Sequence, residues 1–220
     1  MKPTYKRAAD AHRPPKVAGS SGVRGAGPRR GRAAAIALAA VLSIGAAAHI
    51  TPTVTLRKHA DVIRSTLPGA KQYFVREVKI GRQDLRRLRT EASFSPEDRE
   101  LRFFYATAED DAMIGVVLFP QVNTQHGPLE VGLTLDPSGA VTGAVVTKVT
   151  AETKPWVLKA VRAGLMDGFV GMRFGDDTKQ ALQRVAREGL GKMPYFFAGV
   201  TAEAVHRGLA LYEVLFAEAE

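Results

Sequence analysis

The sequence predicts an α+β domain in which helices pack on an antiparallel sheet, preceded by a single N-terminal transmembrane helix. Three observations carry that prediction. Strand-like runs separated by turn chemistry fill residues 101–150, helical periodicity takes over after Pro155, and an uncharged apolar stretch follows a strongly basic tail.

The tail comes first. Of the 31 Lys and Arg residues, nine lie in residues 1–32 (Lys2, Lys6, Arg7, Arg13, Lys16, Arg24, Arg29, Arg30, Arg32), opposed by Asp10 alone. The tail therefore carries +8 of the net +9, and the remainder, at +1, is close to neutral. Without a basic field on the folded part, no nucleic-acid partner is expected. Rich in Pro, Gly and Ser, residues 1–32 read as a disordered cytoplasmic segment.

Residues 33–48 carry no charge, and the stretch reaches spanning length only by continuing to Leu56, where Arg57 and Lys58 end it. Residues 33–56 thus read as a membrane anchor. The bases upstream put the N-terminus in the cytoplasm and residues 57–220 outside, as a periplasmic domain on the inner membrane. Ala46-Ala47-Ala48 also satisfies a signal-peptide cleavage pattern, and a buried core helix is the third reading.

Leu56, Ala60, Ile63 and Leu67 recur at helical spacing and stop at Pro68-Gly69. Gln72 to Ile80 alternates as a strand, and Gln83 to Ala92 reads as a short basic helix with Leu85 and Leu88 inward. Four strand candidates follow, Leu101–Thr107, Met113–Val122, Leu129–Asp136 and Ala140–Thr150, forming an antiparallel meander. Trp156-Val157, Ala160-Val161 and Leu165 mark a helix, Thr178 to Glu188 a second. The last helix reads from Thr201 to about Phe216 on the stripe Val205, Leu209, Tyr212, Phe216.

Chemistry is constrained mainly by what is missing. With no cysteine, a disulfide framework, a thiolate metal site and a Cys nucleophile are excluded. The five histidines (His12, His49, His59, His126, His206) include no pair four residues apart, which argues against a dedicated metal site. No hydrolase elbow, zinc-protease motif, phosphate loop or dinucleotide fingerprint is present. Two places interrupt the buried-looking elements: Glu152-Thr153, following a strand, and Ala198-Gly199-Val200-Thr201, read as preceding the final helix. At a helix start, free N–H groups beside a glycine suit an anion such as phosphate; turn and cap are the structural alternative.

Gly127-Pro128-Leu129, Leu133, Asp136, Gly139 and Val145, then Glu152-Thr153, Phe169-x-Gly171, Ala198-Gly199-Val200-Thr201, Ala204-Val205 and Ala210-Leu211-Tyr212 follow one another in an order that resembles the FMN-binding domain family. That domain is found in the G subunit of Rnf complexes and the C subunit of sodium-translocating NADH:quinone reductase. The resemblance implies an electron-transfer flavoprotein component rather than a stand-alone enzyme. It implies FMN as cofactor, with Gly127, Glu152, Thr153, Gly199, Val200 and Thr201 at its site. It also implies subunits of a membrane redox complex, with quinone- or cytochrome-linked electron partners.

In the family the FMN phosphate is often joined to a threonine in the pattern Asp-x-x-Ser/Thr-Gly-Ala-Thr. If Gly199 matches the family glycine, Thr201 takes the attachment position, but Tyr195, Ala198 and Val200 replace the Asp, Ser/Thr and Ala. If Ala204-Val205 is matched without gaps, Gly199 takes that position and no hydroxyl exists there. Tyr195-Phe196-Phe197 could stack on an isoalloxazine or fill its cleft. A flavin-free accessory subunit of a membrane electron-transfer complex is therefore the alternative expectation.

Overall fold

The computed structural model describes residues 51–186 and 189–217. Their centre is a seven-stranded antiparallel sheet formed by β1 (Thr53–Thr55), β2 (Gln72–Lys79), β3 (Glu100–Thr107), β4 (Met113–Leu118), β5 (Gln121–Thr124), β6 (Gly127–Leu135) and β7 (Val141–Thr150). The spatial order is β1-β7-β6-β4-β3-β2, with β5 also on β6. The expected α+β class and meander are present.

Within the sheet, the structure departs from the sequence reading at β1 and at the run Met113–Val122. Residues 53–55, there joined to the anchor 33–56, form β1 on β7, with Thr53 opposite Thr150. The cause is local, since Thr-Val-Thr is β-branched and favours a pleated edge. The rest of the anchor and the tail 1–32 lie outside the described residues. Among the described residues no helix is long and apolar enough to cross a membrane.

The second difference concerns Met113–Val122. Leu118 opposes Leu133 and Gln121 opposes Glu130, so β4 and β5 follow one register along β6. Pro120 accepts from the Val131 N–H through its carbonyl but has no N–H to return, and the ladder breaks there.

Helices cover both faces. On one side lies α1 (His59–Thr66), whose Val62 packs in a small cluster with Leu67, Ala106 and Val117. On the other, α5 (Lys192–Leu215) runs across the sheet, with α2 (Arg82–Glu91), α3 (Lys154–Arg162) and α4 (Leu182–Ala186) packed around it. Because it is surrounded, α5 is buried on nearly every face rather than along one stripe. Close approach to the sheet requires Gly208, where a Cβ would meet Leu133 Cδ2 at 2.7 Å and Pro120 Cγ at 2.9 Å.

Candidate functional site

Three of the six sequence-predicted site residues, Gly127, Glu152 and Thr153, lie where the β5–β6 hairpin tip reaches the end of β7. Gly127 closes the β5–β6 hairpin with φ +93°, and a Cβ there would stand 2.5 Å from Thr150 Cγ2, so only glycine lets the hairpin tip reach the end of β7. Thr153 leads into α3, with its hydroxyl 3.0 Å from that of Thr150 and both residues buried. Beside them, Glu152 accepts from His126 Nδ1 at 2.9 Å while Gln125 Nε2 donates to His126 Nε2.

The other three fall on α5, and here the sequence reading needs correction. Gly199, Val200 and Thr201 lie inside α5, which begins at Lys192, not at a helix start. Gly191, with φ +82°, turns the chain into the helix, and Pro194 sits in the first turn, where a missing N–H costs nothing. Backbone N–H groups of Thr201 and Ala202 are thus committed within the helix rather than presented to an anion. The Thr201 side chain is 0% exposed, and its hydroxyl donates to the Phe197 carbonyl at 2.8 Å.

Phe197 occupies the space between these elements. Its ring stacks on Trp156 of α3 at a centroid distance of 5.6 Å, and His126 stands edge-on to both. Tyr195 and Phe196 point outward, 45% and 49% exposed. Gly199 differs from Gly208, because a Cβ there would meet nothing within 4 Å.

These residues do not fit covalently held FMN. Thr201 is spent within the helix, Gly199 has no hydroxyl, and the Thr150–Thr153 pair satisfies itself. The Phe197 ring is already packed on Trp156, with His126 edge-on to both.

A second constellation escaped the sequence reading. β3 pairs with β4 only from Phe104 to Thr107, so Glu100–Phe103 separates from β5 and the sheet opens. A cavity of about 510 Å³ fills the opening, with His59, Glu130, Phe104, Phe119, Arg102 and Arg207 among its lining. His59 stacks on Phe119 at 3.7 Å and its Nε2 lies 2.6 Å from Glu130 Oε1. Thr147 Oγ1 donates to the same oxygen at 2.7 Å, and Lys148 Nζ to Oε2 at 2.9 Å.

Glu130 is 6% exposed. Burial pushes its carboxyl up, but hydrogen bonds from His59, Lys148 and Thr147, with the His59 charge, outweigh burial and hold it below the ordinary range. One local signal existed, an acid in the mostly apolar strand GPLEVGLTL. Its pairing with His59, 71 residues away, had none.

Comparison with known proteins found no match among family models, curated proteins or solved structures.

Proposed function

We propose that this chain is a flavin-free accessory subunit of a membrane electron-transfer complex, built on an FMN-binding-like scaffold. One observation carries the choice over a flavoprotein: the stretch aligned with the attachment motif is continuous helix, with the Thr201 hydroxyl buried and bonded to the Phe197 carbonyl. The order of motifs along an antiparallel sheet supports the scaffold half of the reading. Exposed Tyr195 and Phe196 beside the open notch at Gly199 are suited to contact with other subunits.

The test is the intact mass and visible spectrum of the full chain purified from its native membranes in detergent. Colourless protein at the mass of the bare chain is the expected result. Added FMN mass that survives acid precipitation would overturn the reading.

A second reading rests on the cavity between β3 and β5, whose volume lies within the range of small-molecule sites. FMN held there without a covalent bond would lie against Phe119 and Phe104, and acid would release its colour. Free FMN titrated into the purified chain would then lose fluorescence, and His59→Ala would weaken that quenching. No quenching at all removes this reading.

A further inference from the structure

The strand β2 ends the sheet, and no strand among the described residues pairs with its outer side. Sheet edges are normally guarded by brevity, bulges, proline or inward charges. β1, at the opposite end, has three residues. β2 has eight, contains no proline, and stays in unbroken register with β3 from Gln72 to Lys79. Three consecutive apolar side chains stand exposed on it, Tyr73 at 47%, Phe74 at 37% and Val75 at 55%.

The ladder fixes which groups are available. Ile80 donates its N–H to Arg99 O, directly opposite, so even-numbered residues of this strand turn their backbone groups toward β3. Tyr73, Val75 and Glu77 therefore turn N–H and C=O outward.

We propose that β2 pairs with β2 of a second copy of this chain, antiparallel about a two-fold axis through Val75. An antiparallel self-pair has its axis perpendicular to the sheet, so opposed residues share a face and the axis passes through one residue position. Through Arg76 or Glu77 the axis would oppose like charges, and through Phe74 it would shorten the paired stretch to residues 72–76. Through Val75 the stretch is 72–78. Val75 then bonds its counterpart, Tyr73 opposes Glu77, and Phe74 of each copy opposes Arg76 of the other. Aromatic faces attract guanidinium groups, so this register is complementary in charge as well as in backbone. The existing Arg102–Glu77 pair and the Arg76 contact with Phe216 lie on the two faces of the sheet and leave the strand edge open.

The absence of cysteine gives a clean test on the full chain in detergent. With Val75→Cys the single thiol should form a cross-linked dimer under mild oxidation, whereas Val170→Cys, at an equally exposed position, should not. Val75→Pro removes an outward N–H while leaving the N–H groups that bond β3 in place, and should shift the chain to monomer in sedimentation. Val75→Lys, which leaves the backbone alone, should weaken dimerisation by at least about tenfold. The proposal is overturned if unmodified chain sediments as a monomer at high micromolar concentration. Equal cross-linking of the Val75→Cys and Val170→Cys variants, or dimers that persist in both the Pro and Lys variants, would overturn it too. So would capture of a different protein by the Val75→Cys thiol in native membranes.

Discussion

Two glycines in one helix show how much a single position depends on its surroundings. Gly208 sits where the sheet presses against α5, so Gly208→Ala forces overlap with Leu133 and Pro120 and should destabilise by about 1–3 kcal/mol. Gly199 faces open space in the interior of the same helix, and Gly199→Ala should stabilise by about 0.5–1 kcal/mol. Urea unfolding of both variants checks the signs. Glu130 makes a pH prediction. Its folded carboxyl is depressed, so its contribution is complete above the unfolded value of 4.5 and is lost as pH falls through the folded one. Acid unfolding should therefore be less steep below 4.5 in Glu130→Gln, at lower stability throughout. Neither glycine's role was legible in the sequence, because both depend on what lies across the gap. Glu130 was visible as an oddity in its strand, but its partners come from α1 and β7.

At the scale of elements, the sequence reading located the strands and helices closely where periodicity is strong. The helix read over Gln83–Ala92 is α2 (Arg82–Glu91), and the strand read over Gln72–Ile80 is β2 (Gln72–Lys79). It failed at the start of α5, where Ala-Gly-Val-Thr looked like a turn. Burial on all sides removed the amphipathic signal there, and the better signal was Gly191 followed by Pro194. The packing of α3 on α5 through Trp156 and Phe197 follows from that longer helix. Phe197→Ala should cost about 3–5 kcal/mol and shift Trp156 fluorescence to the red, since the ring it stacks on is gone. Thr201→Val, which removes one hydroxyl bonded to a carbonyl already in the helix ladder, should cost no more than about 1 kcal/mol.

For the whole molecule, the sheet has unequal integrity along its width. β6 is flanked on both sides, by β7 and by β4 with β5, and buried along most of its length, so its amides should exchange most slowly with solvent deuterium. In β3 the alternation set by Ile80 directs Leu101 and Phe103 toward β2 and Arg102 toward the opening. The Arg102 amide should therefore exchange much faster than its two neighbours, a difference that residue-resolved exchange would read directly. The antiparallel class was legible from turn spacing alone. The opening was not, because it arises when one proline divides β4 from β5 and β3 departs, a result of three segments meeting.

The unbroken length of α5 has a mechanical consequence. From Tyr195 to Phe216 the chain runs about 30 Å as one stiff rod. Its first turns carry outward aromatics, and at its far end Phe216 lies beneath Arg76 of the edge strand. A loop before the final helix would absorb a push at the aromatic end. A continuous helix has no such joint between Tyr195 and Leu215, so the outward aromatics and the Phe216 contact with Arg76 are held at a fixed separation.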